Sequence, residues 1–177
     1  MPDAPIIRAE MEPDGAFPAL QQGQGFENVG DKTYVWYGVW DEWGWANKNN
    51  KANGGGLVRL ATWDRDRLGY YEVKAGGAHF ISQPLLPQSG DRVFVNADGL
   101  SEDAYLSVEL LDEQLRPLAG YSGVESAVLK KSGLRELATW AGKPSLDGLA
   151  GPVRIRVNYT GERPENARVY AVYVAPQ

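Results

Sequence analysis

From residue 79 onward the chain is a series of short apolar and β-branched segments punctuated by turn residues, and this rhythm narrows the fold more than any other feature. The segments fall at 79–82, 92–96, 105–111, 115–118, 136–139, 153–159 and 168–174. Val153-Arg154-Ile155-Arg156-Val157-Asn158-Tyr159 alternates apolar with polar residues, the period-2 signature of a strand with one buried and one wet face. Val169-Tyr170-Ala171-Val172-Tyr173-Val174 is apolar on both faces, which predicts a central or doubly covered strand. Asp112-Glu113-Gln114 reads as a hairpin-like connection, and Asn96-Ala97-Asp98-Gly99 carries strong turn signals. Helical periodicity is weak everywhere, with at most one turn around 126–132, so alternating helix and strand architectures are disfavoured. The expected fold is all-β: an antiparallel, jelly-roll-like β-sandwich.

The first half of the chain is less regular. Residues 1–30 are rich in Pro, Gly, Gln and acidic groups and predict an irregular N-terminal arm with at most one short strand. Aromatic and β-branched residues then favour a strand over Lys32–Trp40. Leu57-Val58-Arg59-Leu60-Ala61-Thr62-Trp63 predicts a second strand, a turn follows at Asp64-Arg65-Asp66-Arg67, and 68–73 predicts a third. Between the first two, WANKNNKANGGG reads as a long exposed loop in which Asn and Gly accept left-handed backbone angles. With 177 residues there is room for one ordinary domain. The expectation is a sandwich domain over 31–177, with an internal boundary near 74–78 at Lys74-Ala75-Gly76-Gly77.

Charge and composition remove several classes of function. A net charge of −5 argues against a phosphate-backbone partner, which normally demands a basic face. No apolar run approaches the ~20 residues of a membrane helix, and MPDAPIIRAE lacks a charged n-region followed by an apolar stretch. Neither nucleic acid, a membrane nor a signal peptide is therefore expected. The absence of Cys excludes disulfides, thiolate metal sites and Cys nucleophiles but leaves the compartment unknown, secreted or periplasmic had a signal been removed. The single His, His79, cannot build a His-rich metal site and restricts His-based acid–base chemistry.

Chemistry concentrates in one stretch, Tyr34 to Trp45, where Trp36, Trp40, Trp43 and Trp45 make up four of the six Trp beside the acidic pair Asp41-Glu42. Flat aromatic faces next to carboxylates suit a sugar ring, whose axial C–H groups stack on indole while its hydroxyls need hydrogen-bond acceptors. By alternation Trp36 and Trp40 share one strand face, with Val35, Tyr37 and Val39 on the other, so one set is expected in a core. Trp43 and Trp45 lie beyond the acids in a polar loop, where two large indoles are poor candidates for burial and good ones for stacking on sugar or a partner. Asp41, Glu42 and Asn47 would supply hydrogen bonds to the ligand.

No catalytic residue is assigned. A glycosidase needs two carboxylates about 5 to 9.5 Å apart across the scissile bond. Adjacent strand residues point to opposite faces, so Asp41 and Glu42 are a poor couple; either would need a distant carboxylate such as Asp64 or Asp66. Asp91, Asn96, Asp98, Glu102 and Asp103 make calcium a candidate ion, but the simpler reading is that they satisfy local backbone donors in turns. Beyond that calcium no cofactor is expected. Ser122 and Ser126 have no His nearby in the sequence, which disfavours a Ser–His–Asp triad.

Several phrases carry a resemblance: QGFENVGDKTYVWYG at 24–38, GLVRLATWDRD at 56–66, FISQPL at 80–85, RVFVNAD at 92–98, YLSVELLD at 105–112, Thr139-Trp140 and GPVRIRV at 151–157. In order, they resemble the C-terminal part of bacterial invertase-like glycoside hydrolases, which join a five-bladed propeller to a β-sandwich. The resemblance implies a sandwich preceded by last-blade strands and a carbohydrate context. It supplies no catalytic residue, because the blades that would carry the nucleophile and acid have no counterpart in this sequence.

The expected function is non-catalytic carbohydrate binding, or an accessory role in polysaccharide degradation. Its partner would be a polysaccharide or oligosaccharide, with Trp43 and Trp45 stacking on it and Trp36 or Trp40 as the platform floor. The alternatives are a glycoside hydrolase using Asp41 or Glu42, and a protein–protein surface that joins a propeller domain or a second copy.

Overall fold

The structure, a computed structural model, describes residue 7 and residues 19–21, 25–40, 56–74 and 77–176, with backbone alone for 19–21, 39, 40, 56 and 57. It is all-β and antiparallel, and its described residues contain no helix beyond two short 3-10 turns, Gly123–Glu125 and Pro164–Asn166. The chain divides into two compact units, Met1–Leu68 and Gly69–Gln177.

The first unit is one sheet built around a long central strand. Strands β1 (Ala19–Gln21) and β2 (Phe26–Val29) both pair with β3 (Lys32–Trp40), and β4 (Gly56–Asp64) pairs with the other side of β3 along its whole length. Both β1 and β2 thus lie within the stretch that reads as an irregular arm. The β2–β3 hairpin turns at Gly30, whose φ of +57° suits a residue without Cβ. One end of the sheet is locked by a ring of hydrogen bonds. Thr33 Oγ1 donates to Asn28 Oδ1 (2.5 Å) and accepts from the Asp66 N–H (2.8 Å), and Asn28 Nδ2 donates to Asp66 Oδ1 (2.7 Å).

The second unit is a sandwich. One sheet has the order β5-β10-β7-β8, from β5 (His79–Ile81), β7 (Tyr105–Asp112), β8 (Ala127–Leu129) and β10 (Val153–Thr160). The other has the order β11-β6-β9, from β6 (Arg92–Asp98), β9 (Gly133–Leu137) and β11 (Arg168–Ala175). Only β7 and β8 are sequential neighbours in one sheet; every other step from β5 to β11 crosses to the opposite layer. Inward residues of both layers merge into a single core: Val93, Val95 and Ala97 from β6, Leu106, Val108 and Leu110 from β7, Ile155, Val157 and Tyr159 from β10, and Val169 from β11. Trp140 fills its centre, fully buried, with Nε1 donating to the Val108 carbonyl at 2.8 Å. Burial, with Tyr71 nearby, pushes the Tyr159 phenol up to about 12, and its hydroxyl donates to the Tyr71 carbonyl at 2.9 Å.

Several segments differ from the sequence reading for identifiable reasons. The doubly covered strand is β6, buried on both faces from Val93 to Ala97, whereas β11 is half-buried. Strand β11 ladders with β6 on one side only, and a register shift between Val169 and Ala171 puts Val169, Val172 and Val174 all toward the core. Residues 127–129 form a strand, not a helical turn, because Ala127 and Leu129 bury their side chains while pairing with β7. The 115–118 segment returns along β7 as a hairpin but forms a single bridge with it, Leu111 to Pro117, because the Leu110 N–H donates to the Tyr121 carbonyl and not back to Leu118. The 68–73 segment contributes one bridge, Tyr71 to Val169.

Candidate ligand-binding face

Cross-strand register defines two faces on the first unit's sheet. Directly opposed residues of an antiparallel pair point the same way, so Tyr34, Trp36 and Gly38 of β3 share a face with Thr62, Leu60 and Val58 of β4. This face is open. Trp36 is 39% exposed, Leu60 49% and Val58 78%, and the Tyr34 and Trp36 rings pair at 6.1 Å with 28° between their planes. The opposite face, carrying Thr33, Val35, Tyr37, Arg59, Ala61 and Trp63, is buried or half-buried. Trp36 is thus on the open side of the sheet and not in a core. Among the described residues of this unit only Thr33 is buried.

The other proposed ligand residues separate by place. The backbone of Trp40 continues β3 and pairs with Gly56 and Ala19. Asp41, Glu42, Trp43, Trp45 and Asn47 lie outside the described residues. Alternation alone left open whether Trp36 faces a core, and Tyr34, Val58 and Leu60 were not singled out, since only the β3–β4 register puts the aliphatic pair beside the indole.

Asp64 and Asp66, the carboxylates at the end of β4, have structural duties. Asp64 accepts from Lys32 Nζ at 2.7 Å, and the Lys32 hydrogen bond and charge hold its carboxyl below the usual range. Asp66 sits in the left-handed region at φ +58° and closes the ring with Asn28 and Thr33. The candidate calcium ligands are also engaged locally: Asp91 accepts from the Gln88 N–H, Asp98 from the Gly99 N–H, and Glu102 pairs with Lys130. No group of three or more His, Asp or Glu converges as a metal site among the described residues. Ser122 Oγ donates to the Leu110 carbonyl and Ser107 Oγ to Ser126 Oγ. No helix among the described residues is long and apolar enough to cross a membrane.

Compared with known proteins, the chain matches no family model, no curated protein and no solved structure.

Proposed function

We propose that the protein is a non-catalytic carbohydrate-binding or accessory module for polysaccharide degradation, with the Tyr34–Trp36 face as its platform. The observation that carries this reading is the exposed Trp36 indole paired with Tyr34 on an open sheet face. An indole left in water costs apolar hydration, which a sugar's C–H face relieves while the surrounding polar groups take its hydroxyls. Trp43, Trp45, Asp41, Glu42 and Asn47 follow β3 directly and would complete the platform. The likeness to the sandwich end of invertase-like glycoside hydrolases supports the same context.

A glycan array followed by calorimetry on the best hit tests it. Trp36→Ala should weaken binding by roughly tenfold, the worth of about one aromatic contact. Wild-type affinity in both Trp36→Ala and the Trp43→Ala/Trp45→Ala double variant would sink the proposal. Turnover that disappears in Asp41→Asn or Glu42→Gln would convert it to an enzyme. The exposed aliphatics Val58 and Leu60 favour a second reading, a protein-binding or self-associating face. Light scattering separates the two, since association abolished by Val58→Lys would assign the face to protein.

A further inference from the structure

Apart from the aromatic face, burial, charge and access coincide on the outer face of the β5-β10-β7-β8 sheet. Register brings Glu109 of β7 opposite Arg156 of β10, and Arg156 opposite Ile81 of β5. Two residues along, Asn158 lies between His79 and Ser107. The Glu109 carboxylate is almost fully enclosed. It accepts from the Gly123 N–H (2.7 Å), Asn158 Nδ2 (2.9 Å) and Arg156 Nε (2.6 Å), with Arg156 Nη2 also in contact.

Glu109 is therefore consumed by the protein, and its effect is to orient its neighbours. It holds the guanidinium by its side edge, Nε and Nη2, and among the described residues the end-on edge of the fork has no partner on a side chain that is 26% exposed. Asn158 donates both amide hydrogens, to Glu109 and to the Ser107 carbonyl at 3.2 Å, so its Oδ1 remains as a fixed acceptor. Arg154, also on this face, donates to the carbonyls of Ser82 and Glu113 and makes no ion pair among the described residues. On the strands of this face two guanidiniums, Arg154 and Arg156, stand against the one carboxylate of Glu109.

We infer that this face binds a hydroxy-carboxylate of the uronic-acid class. The free edge of Arg156 takes the planar carboxylate in two parallel hydrogen bonds, Asn158 Oδ1 accepts from a ring hydroxyl, and Ile81 offers an apolar contact to the sugar's C–H groups. A single uncompensated positive charge matches a monoanion better than a phosphate, which carries close to two. The site is independent of Trp36 and of the platform reading.

The test is a titration of the full-length 15N-labelled protein with glucuronate, galacturonate, neutral glucose and inorganic phosphate, followed by NMR. The uronates should shift the Arg156 Nε–H, the Asn158 side-chain amide and the backbone amides of 79–81 and 107–109, while glucose leaves them in place. Arg156→Lys keeps a cation for Glu109 but loses the fork, and should weaken uronate binding by at least about tenfold. Should that variant melt early, the perturbation map on unaltered protein decides alone. Unmoved signals at these residues, wild-type affinity in a folded Arg156→Lys, or equal or stronger responses to glucose or phosphate would each overturn the inference. Uronate binding lost in Trp36→Ala would move it to the aromatic face and overturn this site while leaving the platform reading intact.

Discussion

The two units use similar residues to opposite ends. In the Gly69–Gln177 unit, two layers close on each other and their inward Val, Leu and Ile residues disappear from solvent together with Trp140. In the Met1–Leu68 unit, Trp36, Val58 and Leu60 stand on an equally regular ladder yet remain exposed. The local sequence signals are the same, aromatic and β-branched residues at period 2. What differs is burial: inward residues of two sheets close on each other in one unit, while the face bearing Trp36, Val58 and Leu60 stays exposed in the other.

That contrast predicts where damage costs most. Trp140→Ala removes a fully buried ring together with its Nε1–H hydrogen bond to the Val108 carbonyl, and should destabilise the sandwich by about 3–5 kcal/mol in denaturant unfolding. A loss below about 1 kcal/mol would mean that the core does not depend on its central side chain. The next largest effect is expected at Glu109, the one buried carboxylate among the described residues. Glu109→Ala leaves Arg156 facing a vacated pocket and should cost about 3 kcal/mol.

The same group gives a pH dependence. Although burial pushes the Glu109 carboxyl up, the hydrogen bonds from Gly123, Asn158 and Arg156 and the Arg156 charge outweigh it and hold the folded pKa below the ordinary 4.5. A lowered folded pKa means that its stabilisation is complete above the unfolded value and is lost as pH falls through the folded one. Wild-type protein should therefore lose stability below about pH 4.5 more steeply than Glu109→Gln. Parallel pH profiles for the two would show that the acid sensitivity resides elsewhere.

How far the fold could be read beforehand follows from the same physics. Alternation in 153–159 placed Val153, Ile155, Val157 and Tyr159 inward and Arg154, Arg156 and Asn158 outward, as found, because period 2 is a local property. The β7 partner of Arg156 was not legible, since register across strands 47 residues apart is set by packing and turns. For the same reason β11 looked central although it ladders with one strand. Alternation alone left open whether Trp36 faces a core, and its place beside Val58 and Leu60 became visible only once β4 was laid beside β3.

The smallest effect is also the sharpest discriminator between the units. Trp36 and Trp140 are the same residue type in β structure, and a burial scale based on type would treat them alike. Trp36 is 39% exposed and pairs with the Tyr34 ring, so Trp36→Ser forfeits part of one aromatic pair and some strand preference. Its unfolding free energy should fall by under about 1 kcal/mol, and its solubility should rise as the open patch shrinks. Side-by-side melts of Trp36→Ser and Trp140→Ala measure the contrast directly. Comparable losses would mean that the face is covered in solution, and binding would then have to be sought elsewhere. A near-silent Trp36→Ser with reduced glycan affinity would instead assign that indole to a ligand, because a residue costly to solubility and of little use to folding must act in another way.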